Sequence, residues 1–234
     1  MNSFDYNILV YLNHLGNHSP VLMKVIVGIY QDSLKLGLFV ALIWWAWFEA
    51  SDRARLQVAR EKIVASFIGG LLCVGLVRIM VLVLPFRQRP MSIPSLGLTF
   101  PIATEGWGNW SSFPSDHAAL FSLLTVCLFS ISTRLGLLAL FDTVFLICLP
   151  RIFVGVHYPT DLIVGALMGS AAGYWLTREQ VRTSLSRPML HWLHVHPASF
   201  YSCAFLFSFL LAHVFFPVTN ILIDTRLLAR ALLR

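Results

Sequence analysis

The chain has 234 residues, of which 57% are hydrophobic and only 12% charged, and its mean hydropathy is +0.75. Soluble domains carry roughly 25% charged residues, so this composition excludes an ordinary water-soluble globule and defines a membrane protein. The net charge of +6 is spread over several loops, which suits orientation in a bilayer and excludes the concentrated basic stripe that nucleic acid requires.

No Ser/Pro-rich linker or internal repeat divides the sequence, which reads as one domain. The opening Met-Asn-Ser-Phe-Asp lacks the basic start, compact apolar run and small-residue cleavage site of a secretory signal, so the first membrane segment is expected to be retained. Cys73, Cys127, Cys148 and Cys203 all fall inside apolar runs with no close pairing and read as small packing residues, neither disulfides nor zinc ligands.

In chain order, residues 4–17 mix Ile8, Leu9, Tyr11, Leu12 and Leu15 with polar neighbours. That is too short and too polar to cross about 30 Å of hydrocarbon, so the pattern predicts an interfacial helix that breaks at Ser19-Pro20. Residues 21–29 carry Lys24 and lead to Gln31-Asp32-Ser33, a half-buried approach to the first span. That span, 34–48, ends in Trp44, Trp45 and Trp47, an aromatic group suited to the membrane interface. After Asp52, Arg53, Arg55, Arg60 and Lys62 comes a second span, 63–84, ended by Pro85.

The stretch from there to Pro114 is the longest irregular one and carries Arg87, Arg89, Glu105, Trp107 and Trp110; long loops of this kind are functional or disordered. Spans three and four are expected at 116–132 and 135–156, joined by Thr133-Arg134, and span five at 161–176. Gly165, Gly169 and Gly173 form a ridge at four-residue spacing that lets a neighbouring helix approach closely, with Asp161 on the same face. A basic loop follows with Arg178, Arg182 and Arg187, then a sixth span at 199–216. The spacing of Arg226, Arg230 and Arg234 in the tail predicts an amphipathic surface helix.

The expected fold is therefore all-α: a six-transmembrane helix bundle with an N-terminal interfacial helix and a C-terminal amphipathic tail. Six spans put both termini and the polar loops on one face. Apart from Arg78 in a span and Arg87, Arg89 and Arg151 in the polar loops, eight basic residues lie on the opposite face against five on this one. By the positive-inside rule the polar loops are expected to face outward.

Span two ends, span three begins, span four ends and span five begins on that one face. Alternation alone thus gathers Arg87 and Arg89, Ser115 and His117, Arg151, and His157 with Asp161. Ionisable groups at the ends of apolar runs are expensive unless they work or are paired. Arginine forks match phosphate oxygens in pairs, and Ser115 with the free N–H groups at the start of span three completes an anion cradle. His157 with Asp161 four residues on reads as a nucleophile or base oriented by a carboxylate, leaving His117 to protonate a departing oxygen. Phosphoryl transfer is mostly positioning and charge stabilisation, which this set supplies without a metal or other cofactor.

Arg89-Pro90, Pro114-Ser115-x-His117 and Arg151-x5-His157-x3-Asp161 together resemble the type 2 phosphatidic acid phosphatase superfamily of membrane lipid phosphatases. Its pattern is K-x6-R-P, P-S-G-H and S-R-x5-H-x3-D, and it shares its core with vanadium haloperoxidases. The resemblance spans about residues 34–177. It implies a phosphohistidine on His157, Asp161 orienting that ring, His117 as acid for the leaving group, and Arg89, Arg151 and Ser115 holding phosphate. It also implies a division into an interfacial segment 1–33, a catalytic core 34–177, and a sixth span with basic tail 178–234.

Three positions depart from the pattern. The family lysine falls at Leu82, the glycine of P-S-G-H is Asp116, as in the undecaprenyl-diphosphate phosphatase branch, and the serine before the last arginine is Pro150. Asp116 suits the start of a helix but adds negative charge beside an anion site, so it is expected to point away. Arg87 is one candidate to replace the lysine. Arg78, four residues before Leu82 on the same helical face, is the other; its alternative is an ion pair with Asp142 at similar depth in span four.

His191, His194 and His196 fit no zinc spacing and read as a polar interfacial loop. His14, His18 and His213 have no acidic or cysteine partner in sequence reach, Trp107 and Trp110 read as belt residues, and Glu105 stays open between a supporting base and an exposed loop carboxylate. The leading functional reading is hydrolysis of a phosphate or diphosphate on a membrane lipid, with polyprenyl diphosphate such as undecaprenyl diphosphate suggested by Ser-Phe-Pro-Ser-Asp-His. Phosphatidate or phosphatidylglycerol phosphate come next. One alternative passes the phosphoryl group to an acceptor such as a sugar or lipid A. Another is a non-catalytic scaffold or transporter that binds lipid phosphate, against which both histidines and Asp161 weigh. The expected location is the plasma (inner) membrane, multi-pass, with the site toward the periplasm or exterior.

Overall fold

The computed structural model describes residues 2–32, 34–49, 52–102 and 110–213, with side chains to residue 209. The predicted tail helix with Arg226, Arg230 and Arg234, the end of the sixth span, the His213 side chain, and Glu105 and Trp107 lie outside the described residues. The described chain folds into α1 (Ser3–His18), α2 (Pro20–Gln31), α3 (Leu34–Phe48), α4 (Arg53–Val83), α5 (Asp116–Ile131), α6 (Thr133–Phe153), α7 (Pro159–Leu176), α8 (Glu179–Val195) and α9 (Pro197–His213).

Local chemistry sets the first boundaries. Ser19 accepts from Leu22 N at 3.3 Å and Pro20 opens α2, so the Ser19-Pro20 pair both ends one helix and caps the next. Lys35 turns back from α3 and donates to the carbonyls of Ile29 (2.6 Å), Tyr30 (2.8 Å) and Asp32, acceptors that the last turn of α2 leaves without helical partners.

Six separate spans were expected, but length and composition qualify two helices, α4 and α6, or three if the bent pair α2 and α3 counts as one. For the shorter helices the reason is length. At 1.5 Å per residue, the apolar 16-residue α5 reaches only ~24 Å, short of ~30 Å of hydrocarbon.

The basic loop expected after span five is helical instead. Residues 179–195 form α8, which packs its Ser186, Leu190 and Leu193 face inward and joins α4 through an Arg182 Nε–Glu61 Oε2 ion pair of 3.1 Å. Trp44 and Trp47 likewise serve the interior more than the interface. Trp47 stacks on Phe200 at 5.8 Å and donates to the Tyr201 hydroxyl at 3.3 Å, and Trp44 donates to Ser208 Oγ at 3.1 Å, so α3 is keyed to α9. Trp45 remains exposed.

The main core lies between α3, α4, α5, α6 and α8, around Phe39, Val77, Phe121, Leu123, Leu135 and Leu190. The glycine ridge of α7 lies against the backbone of α5: a methyl placed on Gly173 would lie 2.7 Å from the Leu123 carbonyl oxygen, and one on Gly169 or Gly165 would overlap the carbonyl oxygen of Ala119 or Ser115. The match of 165, 169, 173 to 115, 119, 123 sets helix against helix with nothing between them. Within α6 the stretch Asp142–Cys148 widens to a π-helical turn just before Pro150.

Candidate active site

The C-terminal end of α4 with its following loop, the start of α5, the end of α6 and the start of α7 meet at one rim. The join is made by backbone as much as side chain. Ser115 N donates to Asp161 O (3.1 Å), Ser112 N to Arg87 O (2.9 Å) and Met91 N to Gly155 O (3.0 Å). Gly155 takes the left-handed conformation, φ 75°, that turns the chain out of α6, and Val156 N and His157 N both donate back to Arg151 O, at 3.0 and 3.3 Å.

His157 is buried, and its Nδ1 lies 2.8 Å from the Ser112 carbonyl oxygen. A carbonyl can only accept, so Nδ1 carries the proton and Nε2 the lone pair. The carboxylate expected to do this, Asp161, has Oδ2 at 3.6 Å from Nδ1, beyond hydrogen-bond range. Asp161 instead accepts from Tyr158 N at 2.8 Å through Oδ2 and from Arg87 Nη1 at 2.5 Å through Oδ1. Its negative charge is thereby fixed beside the ring while Ser112 holds the tautomer. Burial pulls the His157 imidazole below its ordinary value, and Asp161 opposes that shift only in part.

His117, in the first turn of α5, has Nδ1 2.8 Å from Asp116 Oδ1, to which its own backbone N–H also donates at 2.8 Å. The second Asp116 oxygen pairs with Arg78 at 2.5 Å. The candidate pair of Arg78 with Asp142 is therefore not formed: Arg78 reaches across the α4–α5 contact to the start of α5, while Asp142, buried in the π-helical turn, makes no hydrogen bond to the described residues through either oxygen. Asp116 does not turn away from the site as expected; its charge is taken up by His117 and Arg78. Leu82, at the family lysine position, is 79% exposed on the outer side of α4, so Arg78, one turn earlier, is the α4 cation that touches the site.

Ser115 is fully buried and caps α5, accepting from Ala118 N at 3.4 Å. Arg151 is buried, donates to the Ile147 carbonyl and lies 5.9 Å from the Tyr30 ring centre on α2. Arg89 spreads its fork over the carbonyls of Val156 (2.9 Å), Trp110 (3.3 Å) and Ser111 (3.5 Å). Arg87 is engaged differently from the cradle role considered for it: Nη1 donates to Asp161 and to Thr160 Oγ1 (2.8 Å), Nη2 pairs with Asp5 at 2.5 Å, and the guanidinium stacks 4.0 Å from the Tyr158 ring.

Sequence reasoning missed Asp5, Thr160, Tyr30 and the Ser112 carbonyl. Asp5 left one signal, a lone carboxylate in a mildly apolar helix; a backbone carbonyl leaves none. His191 and His194 lie on α8, where His194 Nδ1 bonds to the Leu190 carbonyl at 2.5 Å. Among the described residues no three His, Cys, Asp or Glu side chains are placed to hold a metal together.

A helical membrane protein whose motif arginines and histidines share one rim is the class that fold and site define, and comparison with known proteins agrees. The family model described as the PAP2 superfamily matches residues 71–184, which contain all three motifs. The chain is similar to undecaprenyl-diphosphatase BcrC of Bacillus subtilis (strain 168), 22% identical over 175 residues that cover 74% of this chain and 83% of that protein. The bacitracin transport permease protein BcrC of Bacillus licheniformis is 35% identical over 80 residues, 34% of this chain and 39% of that protein. An undecaprenyl-diphosphatase of Sulfolobus acidocaldarius is 34% identical over 79 residues, 33% of this chain and 36% of that protein. No solved structure matches.

Proposed function

We propose that this protein hydrolyses the terminal phosphate of a polyprenyl diphosphate, undecaprenyl diphosphate in the first place, through a phosphohistidine on His157. The observation that carries the reading is the tautomer: with Nδ1 held by the Ser112 carbonyl, Nε2 of His157 carries the lone pair that an attack on phosphorus needs. The resemblance to proteins named undecaprenyl-diphosphatase supports the choice of lipid.

In the first step His157 Nε2 attacks the terminal phosphorus, the Nε2–P bond forms and the P–O bond to the lipid monophosphate breaks. His117, as an imidazolium whose Nδ1–H is held by Asp116, gives its Nε2 proton to the departing oxygen. In the second step the same imidazole takes a proton from water as the water attacks phosphorus, the N–P bond breaks, inorganic phosphate leaves and His157 is restored. Arg89, Arg151 and the N-terminus of α5 at Ser115 neutralise charge on the phosphoryl oxygens. Arg78, through Asp116, takes the place of the lysine missing at Leu82. Asp161 sets the field at His157 and stabilises the imidazole as it becomes cationic on attack. The site faces the exterior side of the cell membrane, in keeping with the distribution of basic loops.

The test is phosphate release by purified protein in detergent from undecaprenyl diphosphate, phosphatidate and phosphatidylglycerol phosphate, with His157→Ala as control. Expected are release from the polyprenyl diphosphate, loss in the control, and an acid-labile phosphorylated intermediate in wild type only. Wild-type turnover by His157→Ala would refute the nucleophile. Phosphate found on an added sugar or lipid A in place of water would establish transfer instead of hydrolysis.

A further inference from the structure

Asp5 is fully buried in a helix that otherwise exposes much of its surface, including Phe4, Tyr6 and Tyr11. A buried carboxylate is costly unless it is paired and hydrogen-bonded, and this one is. Oδ1 accepts from Thr160 N at 2.9 Å, while Oδ2 accepts from Thr160 Oγ1 at 2.7 Å and from Arg87 Nη2 at 2.5 Å. These partners lie 82 and 155 residues away in sequence. They also lie at the base of the site: Thr160 is the second residue of α7, and Arg87 grips Asp161, which sits beside His157.

The start of α7 explains why such a residue is present. Its cap position is Tyr158, which is not a Ser, Thr, Asp or Asn that could serve the free N–H groups of the first turn. Asp161 satisfies Tyr158 N, and Asp5 satisfies Thr160 N from another helix. Thr160 Oγ1 donates to Asp5 and accepts from Arg87 Nη1, and the same Nη1 donates to Asp161. Asp5, Thr160, Arg87 and Asp161 thus form one chain of donors and acceptors from α1 to the carboxylate that lies beside His157. Asp5 lies outside the segment matched by the family, residues 71–184.

We propose that Asp5 is a positioning residue of the active site: α1 delivers a carboxylate that caps α7 and, through Thr160 and Arg87, holds the Asp161 carboxylate at its place beside His157. This rests on the phosphatase reading above for its effect on turnover, though not for its effect on the His157 ring. Arg87 is divided between two carboxylates, so removing the Asp5 charge leaves it wholly to Asp161 and weakens the negative field at the ring. The other charged or titratable groups around His157 and this chain are Asp116, Arg89, Arg151, His117 and Tyr158, all left in place.

The test uses the full chain in detergent with Asp5→Asn, Asp5→Glu and Thr160→Val, read by kcat and KM on undecaprenyl diphosphate and by NMR titration of the ring-labelled His157 imidazole. Asp5→Asn is expected to lower kcat by about 10- to 100-fold, the scale on which hydrogen-bond partners that orient metal ligands act, with KM within about threefold. The His157 titration and the acid limb of kcat/KM are both expected to move to lower pH, because loss of a nearby negative charge favours the neutral ring. Asp5→Glu is expected to keep the titration near its wild-type position. A titration and turnover unchanged in folded Asp5→Asn would overturn the proposal, as would a fall in turnover with no displacement of the titration. Should Asp5→Asn not fold, Thr160→Val, which keeps the backbone bond but loses the hydroxyl link, carries the same expectations at smaller size and the same refutation. If wild type releases no phosphate, the phosphatase reading fails, and the NMR titration still decides whether Asp5 governs His157.

Discussion

Gly169→Ala tests the contact that holds the two halves of the site together. In an exposed helix this change favours folding by about 1 kcal/mol, because alanine restricts the unfolded chain more than glycine does. Here the added methyl would overlap the backbone carbonyl oxygen of Ala119, which no rotamer change can remove. Overpacking of this kind costs about 1–3 kcal/mol, and a backbone obstacle places it toward the upper end. The expected net loss is ~1–2 kcal/mol, which for a chain of this size is a fall of roughly 2–8 °C in Tm. Because the Ser115 N–Asp161 O bond of 3.1 Å closes the same interface one turn beyond the ridge, turnover should fall as well. Gly75→Ala, with nothing within 4 Å of the added carbon, is the control and should be neutral or stabilising by up to about 1 kcal/mol. Thermal unfolding in detergent and phosphate release measure both effects. A Gly169→Ala protein as stable and as active as Gly75→Ala would refute the close-approach reasoning.

Burial of His157 gives folding a pH dependence of known sign. Its folded pKa lies below the unfolded value of about 6.5, so below that pH the unfolded chain binds the extra proton. Stability contributed by the neutral ring is complete above about pH 6.5 and is lost as pH falls from there toward the folded value, with a slope of at most ~1.4 kcal/mol per pH unit; His157→Gln should flatten denaturation midpoints in that window, and an unchanged slope would count against a buried neutral ring. Arg78→Met leaves Asp116 with His117 alone, and because the Arg78 side chain is 47% exposed the screened loss is expected near 1 kcal/mol. Turnover should drop about five- to tenfold and be partly restored by Arg78→Lys, whereas full activity in Arg78→Met would make the pair peripheral.

The gathering of the motif residues at one rim was legible because they sit at helix ends, and helix ends follow from hydrophobic run length, from Ser19-Pro20 and from Pro85. The glycine ridge was legible because four-residue spacing has one geometric meaning. The limits of the sequence are physical. Run length finds where a helix begins and ends but not its rotation, so Arg78 could not be assigned between Asp116 and Asp142. Composition could not separate α8 from a basic loop, since Pro188 and a polar exterior conceal a narrow inward face at Ser186, Leu190 and Leu193. Nothing local at Arg87 points to Asp5 as its partner, and the two meet only because α1 folds back over the start of α7.

The widened turn at Asp142–Cys148 puts one residue more into α6 than a regular helix of the same rise would hold. Each residue swings a helix through ~100°, so that extra residue decides which side of the final turn Arg151 occupies. A homologous chain one residue shorter there would look equally apolar and still carry every motif letter. Its guanidinium would nonetheless leave the helix in another direction, which makes the spacing upstream of a motif part of the motif.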